Sequence, residues 1–359
     1  MPELITVVDN VAKVSAAQPT DSIELNKTGN FLEETFFATV ELQSGDAFRV
    51  DRADRRSAVW LSLLNERVET GESVYLEVEP ETKIIQKLLL PQLLMVTEID
   101  ETPEAERHFV RLRISHARHF VRTSNPNYER LIGDLREARM KNEPVLITET
   151  LAEHEIVDVR PDPNPNKGVA HDLLALETAP DEKEESFFNL VSDMSGAESL
   201  ELFRYLAGQT QIPFNYPDDG CWGRAHEMRR LIIGRNYECR KIWIYGRLRV
   251  RTSNSPKCEV PWDWHVAPII RVRSGEGVIE QVVDPSLFDN PVSIDAWKGI
   301  QSDAGARLHR TDSNVFYRDV SGSLDYDSNY SKTNEVLRRF SRLRNLRFAE
   351  LGLPPYRCP

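Results

Sequence analysis

Cysteine is scarce. The 359 residues hold four, Cys221, Cys239, Cys258 and Cys358. That is too few for a disulfide-built scaffold, and no pair is spaced CxxC, so a structural zinc site is not expected. Long apolar runs are missing too. The most apolar stretch, Ile84 to Ile99, is interrupted by Lys87 and Pro91 and is too short and broken to span a bilayer. The N-terminus, MPELITVVDN, lacks a basic segment followed by an apolar one. The chain is therefore expected to be soluble and cytoplasmic as synthesised, any export following a route without a signal peptide. Basic tracts are absent and the net charge is −12, which argues against nucleic acid or an anionic membrane as partner. Hydrophobic residues make up 40%, enough for ordinary packed cores, and the length suits two or three domains.

Four segments follow along the chain. Residues 1–35 are polar and weakly patterned and are expected to form a flexible lead-in. Residues 36–160 read as an α+β tandem repeat with an offset of 71. Two strands (FFATVEL, AFRVD), a helix (RSAVWLSLLNERVETG), a strand (SVYLEVEP) and an apolar segment are followed by HFVRLRIS, RHFVRTS, NYERLIGDLREARMKN, PVLITET and EIVDVRP. Leu61 aligns with Ile132, Leu64 with Leu135, Val74 with Val145 and Ile85 with Ile156. Both helices space apolar residues at three and four. No catalytic grouping falls here, so the module is expected to regulate or to bind, its target being the rest of the chain or another protein. Residues 161–185 are proline-rich and then acidic, a linker. A second domain fills 186–359.

The strongest local signal is FNYPDDGCWGRAHEMRRLIIG. Turn residues Asp218, Asp219 and Gly220 precede a helix that ends near Gly234. Cys221, Ala225, Met228 and Ile232 share one inward face. Cys221 thus sits in the first helical turn, where the helix N-terminus stabilises a thiolate and lowers its pKa. A buried structural thiol is the plain alternative. Downstream, HVAPIIRVR and VIEQVVD read as a hairpin joined by SGEG. Centring on that loop pairs Ala267 with Asp284 and puts His265 on the same face, diagonal to the aspartate. An Asp could then hold one imidazole nitrogen while the other faces the thiol. A structural His and a turn Asp remain open alternatives at this point.

His226 follows Cys221 by five positions and points elsewhere, so a structural role with Arg224 is favoured over that of a base. Trp262 and Trp264 flank His265 and either wall the substrate cleft or belong to the core. His116 and His119 lie near a strand turn without a third ligand, so no metal is expected there. The tail from Lys332 to Phe348 reads as a terminal helix packed on the domain with a solvated basic face; binding an acidic partner is the alternative.

Taken together, YPDDGCWGRAHEMRRLI, YECRKIWIYGRLR, WDWHVA, VVDPSLFDNPV and NVFYR resemble the bacterial protein glutaminases, or protein-glutamine deamidases, from about Phe187 to Leu343. The resemblance implies a papain- and transglutaminase-like α+β domain with an antiparallel sheet and a nucleophile-bearing helix. It implies a Cys221–His265–Asp284 triad that hydrolyses protein-bound glutamine through a thioester, without metal or organic cofactor. Protein or peptide substrates with accessible glutamine are the implied partners. Transglutaminase-type acyl transfer and papain-like proteolysis are the alternatives. Secreted relatives carry more cysteines in this domain; here Cys239 and Cys258, flanking a strand, are the candidates to pair. Relatives also carry a pro-region over the active site, in the place the repeat module occupies.

Overall fold

The computed structural model describes residues 4–16, 37–162, 173–175, 177, 190–275 and 277–359. Alternation of apolar and polar residues builds the first sheet. Ala38, Val40, Leu42, Phe48 and Val50 are all buried, and they lie on strands β2 (Phe37–Leu42) and β3 (Ala47–Asp51). Strand β1 (Ile5–Ala16) lies at the centre of this sheet, not in a lead-in. Its first half pairs with β4 (Ser73–Val78) and its second half with β2, with β5 (Ile85–Leu89) outside β4. Its weak apolar pattern hid it: Asn10 and Val11 are buried, and its other described positions are half-buried or exposed. Helix α1 (Ser57–Thr70) covers the sheet with Trp60, Leu63 and Leu64 and ends on Gly71 in the left-handed conformation.

The second half of the module follows the same order. The apolar segment yields two short strands, β6 (Gln92–Leu94) and β7 (Val96–Ile99). Then come β8 (Arg107–Leu112), β9 (His119–Arg122), α2 (Tyr128–Lys141), β10 (Val145–Glu149) and β11 (Ile156–Pro161). Helix α2 starts and ends 71 residues after α1. β6 pairs with β10 and β7 with β8, the two partnerships that β1 makes alone in the first half. Of the expected linker, residues 163–172, 176 and 178–185 lie outside the described residues. Leu173 is buried, and Lys332 Nζ donates to the Ala175 carbonyl at 2.6 Å.

The C-terminal domain is α+β. The short β12 (Asp193–Met194) runs parallel to β14 (Glu259–Ser274), whose antiparallel neighbours are β13 (Arg240–Arg251) and β15 (Gly277–Val282). β16 (Val292–Ser293) and β17 (Arg307–Asp312) complete the six strands. Helix α3 (Gly196–Ala207) opens with a capping box between Ser195 and Glu198. Helix α4 (Cys221–Gly234) packs on β14, and α5 (Ile294–Gly299) brings Trp297 into the core. A hairpin of β18 (Val315–Arg318) and β19 (Leu324–Tyr326) precedes the long α6 (Ser331–Leu351). One apolar cluster runs through both domains, joining Trp60, Leu64 and Leu88 of the module to Trp222, Trp264 and Phe340. Among the described residues no helix is long and apolar enough to cross a membrane.

Candidate active site

The turn before α4 sets the position of Cys221. Gly220 caps the helix at φ 83°, a left-handed conformation that favours glycine, and a Cβ there would sit 2.4 Å from Phe340 Cδ2. Cys221 is the first helical residue. It is 1% exposed, and Ala225, Met228 and Ile232 are buried on the same face, as their spacing predicts. The thiol therefore points at β14 rather than at solvent.

β14 and β15 pair in the register read from the sequence. Ile269 faces Val282 and Ser274 faces Gly277. The ladder ends at Val282, and the Val283 N–H donates to the Pro268 carbonyl at 3.0 Å, which brings Asp284 beside His265. His265 Nε2 lies 2.8 Å from Asp284 Oδ2, which also accepts from Trp297 Nε1 at 3.0 Å; Oδ1 accepts from the Ser286 N–H at 3.3 Å. Burial pushes the Asp284 carboxyl up, but the charge of His265 and the hydrogen bonds from His265 and Trp297 outweigh it and hold it below its ordinary value. The other imidazole nitrogen, Nδ1, is buried with no hydrogen-bond partner. A ring nitrogen of His265 lies within 4.8 Å of Cys221 Sγ. The structure thus brings all three expected residues together, each at most 3% exposed.

A fourth residue enters from the N-terminal module. The loop between β8 and β9 carries Ser115, His116 and Ala117 across the site. His116 Nδ1 lies 3.1 Å from Cys221 Sγ and 3.0 Å from the Trp264 carbonyl. Its ring stacks on Trp262 (centroids 5.1 Å, 13°) and on His265 (5.7 Å, 22°). The backbone joins in: the Asp263 N–H donates to the His116 carbonyl at 3.0 Å, and Ala117 makes a β-bridge to Trp262. Ser115 Oγ donates to Asp219 Oδ2 at 2.6 Å. This loop seals the site, and sealing reverses the expectation for the thiol. Burial pushes the Cys221 pKa well above its ordinary value, against the helix N-terminus and the nearby Arg224 guanidinium.

Residues 185–301 match the family model described as Glutaminase. A crystal structure of pro-protein-glutaminase shares 28% identity at a TM-score of 0.53, covering 73% of this chain and 94% of that one. A mutant of the same pro-protein gives 29%, 0.53, 70% and 93%. The chain belongs, through its C-terminal domain, to the protein-glutaminase family. Protein-glutaminase from Chryseobacterium proteolyticum is 33% identical over 42% of this chain and 90% of its own, at a TM-score of 0.39. No curated protein matches. A share of 73% is more than residues 186–359 alone could supply, so the likeness to the pro-protein reaches into the N-terminal module.

Other residues of this protein-glutaminase domain fall into place around the site. His226 is buried away from Cys221, its Nδ1 2.8 Å from Lys241 Nζ and its Nε2 3.3 Å from the Asp327 carbonyl. Arg224 donates to the Tyr216 and Asp219 carbonyls and pins the turn before Cys221. Trp262 stacks on His265 at 4.5 Å and donates from Nε1 to the Asp218 carbonyl at 3.1 Å. Trp264 packs among Trp222, Trp243 and Tyr317. Both tryptophans are buried in the core, and both rings contact that of His116.

Three expectations need correction. Cys239 does not pair with Cys258; the disulfide joins Cys258 to Cys358, and Cys239 is free. Cys239 and Cys258 stand at opposite ends of β13, a 12-residue strand, which separates them by about 40 Å at roughly 3.3 Å per residue. His116 and His119 do have third partners, from distant segments. His116 meets Cys221 and His265; His119 meets Glu149 and His154. The basic face of α6 is not all solvated: Arg342 grips Glu66 of α1 through two hydrogen bonds (2.9 and 2.6 Å), and Arg347 holds Asp218 at 2.6 Å. The acidic partner of that helix is in part the chain's own module.

Proposed function

We propose that this chain hydrolyses the side-chain amide of glutamine in proteins or peptides, giving glutamate and ammonia. The observation that carries the reading is the His265 imidazole, with one nitrogen on Asp284, the other buried and unpartnered, and the ring within 4.8 Å of Cys221 Sγ. The Cys221 thiolate attacks the carboxamide carbon. The Cys221 N–H, at the start of α4, stabilises the oxyanion. Protonated His265 gives its proton to the leaving ammonia, and a thioester remains. Water, deprotonated by neutral His265, then resolves it to glutamate. Asp284 fixes the imidazole tautomer and stabilises the imidazolium. Trp262 and Trp264 wall the slot for the glutamine side chain.

The N-terminal module acts in this reading as a plug. Two units of one design, each a shared or split strand, a hairpin, a helix and a second hairpin, present the Ser115–Ala117 loop to the cleft. His116 takes the place of the substrate side chain, so the chain as described is latent. The Cys258–Cys358 disulfide supports a place of work outside the reducing cytoplasm.

The test introduces a protease site at residues 163–167 and follows ammonia and substrate mass before and after the cut, with a glutamine-containing protein. Ammonia release that rises on cutting, with an intact and uncrosslinked substrate, is the expected result. Peptide fragments would point to a protease and lysine crosslinks to a transglutaminase. A Cys221→Ala chain that keeps its activity would sink the nucleophile.

A further inference from the structure

Burying a thiol against two imidazoles brings three good ligands for a borderline-soft metal into one dry site. A ring nitrogen of His116, Cys221 Sγ and a ring nitrogen of His265 all lie within 4.8 Å of one another, and Cys221 Sγ is 3.1 Å from His116 Nδ1. Ligand atoms around a tetrahedral zinc ion stand about 3.4–3.6 Å apart, given Zn–N near 2.0–2.1 Å and Zn–S near 2.3 Å. The three separations, 3.1 Å for one pair and at most 4.8 Å for the others, bracket that spacing.

The groups behind the ligands fit as well. A metal-bound histidine commonly donates its other ring N–H to a carboxylate. Asp284 Oδ2 is 2.8 Å from the Nε2 of His265, which leaves Nδ1 as the lone-pair nitrogen, buried and without a partner. On the second imidazole Nδ1 sits 3.0 Å from the Trp264 carbonyl and Asp219 Oδ1 stands 3.4 Å from Nε2 without a hydrogen bond, so ligation moves the His116 ring proton from Nδ1 to Nε2, on the side of Asp219. His116 and His265 are 0% and 1% exposed, and Trp262 stacks on both. One imidazole is thus held by a carboxylate, a second has a carboxylate nearby, and a thiol closes the triangle.

We propose that the latent chain binds a zinc-type divalent cation through His116 of the module and Cys221 and His265 of the catalytic domain. Binding converts the Cys221 S–H to a metal–thiolate bond and releases one proton to solvent; both imidazoles bind as neutral ligands. The ion ties module to domain and occupies the nucleophile and the base together, so it locks the latent state. The inference rests on the closed geometry and stands whichever amide the enzyme cleaves.

The test is cobalt substitution in the full, uncut chain. The protein is stripped with a chelator and equilibrated with Co²⁺ for long enough to allow the buried site to open. One cobalt per chain is expected, with a near-ultraviolet thiolate-to-cobalt charge-transfer band and visible bands of tetrahedral intensity. His116→Ala, checked for fold by circular dichroism, loses the charge-transfer band; Cys239→Ser, which removes the other free thiol, keeps it. Zinc displaces the cobalt and raises the unfolding temperature of the unaltered chain but not of His116→Ala. No bound cobalt, a band that survives undiminished in His116→Ala, or cobalt bound without a thiolate band would each overturn the proposal. The last outcome would place the ion at His119, Glu149 and His154, which offer no sulfur.

Discussion

At the residue scale, two close contacts govern where Cys221 stands. A Cβ on Gly220 would meet Phe340 at 2.4 Å, and one on Gly223 would meet Val336 Cγ1 at 2.4 Å. Both neighbours belong to α6, so the GCWG stretch is shaped by a helix more than a hundred residues away. Gly220→Ala should destabilise the chain by about 2–5 kcal/mol, summing roughly 1–3 for overpacking and 1–2 for the left-handed backbone. Thermal unfolding measures this, and alkylation of Cys221 in the cut chain reports its displacement. The Arg347–Asp218 pair is the second sensitive point. Both side chains are buried, and Asp218 also accepts from Ser255 Oγ at 3.3 Å. Arg347→Ala leaves that carboxylate buried without its cation and should cost about 3–5 kcal/mol in denaturant unfolding. The thiol and the imidazole of the site were legible because each sits in a local pattern, a helix start and a strand alternation. His116 was not legible as their neighbour: nothing near it in the chain signals that it crosses to another domain.

At the element scale, the hairpin of β14 and β15 was readable to the residue, since a four-residue turn sets the register and the register sets the pairing. The bent β1 was missed because no sequence pattern marks a strand that changes partner half-way. The loop ends of β10 and β11 hold a separate titrating group, His154 against Glu149 (3.0 Å), with His119 on the other carboxylate oxygen. Burial lowers the His154 pKa, but the Glu149 charge outweighs it and raises the value above 6.5. Burial pushes Glu149 up, and the two imidazoles outweigh that and hold it low. A raised histidine stabilises the fold fully below its unfolded value and loses this as pH rises through the folded value; a depressed glutamate keeps its contribution above 4.5 and loses it as pH falls. The excess thermal stability of the native chain over His154→Gln should therefore be greatest between about pH 5 and 6.5 and shrink above that. A difference independent of pH from 5 to 9 would contradict the pairing. Helix α6 behaves as a strap. Arg342→Ala, which frees Glu66 on α1, should loosen module from domain and speed proteolysis between them, with the catalytic domain still folded.

At the scale of the whole molecule, the enzyme-like domain and the module share one apolar core and one closed site. Closure explains why the Cys221 pKa is raised although the helix start favours a thiolate: desolvation of a fully buried charge outweighs a helix terminus, which contributes about 1 kcal/mol or less at an exposed site. Cutting between the domains and separating them should therefore raise the rate of Cys221 alkylation near neutral pH by at least about tenfold, one pKa unit's worth. An unchanged rate would mean that the module does not shield the site.

The sequence by itself determined the local units: the helix that begins at Cys221, the hairpin that carries His265 towards Asp284, and the two helices 71 residues apart. Each is set by spacing within a few residues, where backbone geometry leaves little choice. The tertiary structure alone decided that His116 lies on the thiol, that Cys258 finds Cys358, and that Arg342 finds Glu66. Those partners are separated by 105, 100 and 276 positions, and such pairs are chosen by how whole surfaces bury against one another, not by any pattern along the chain.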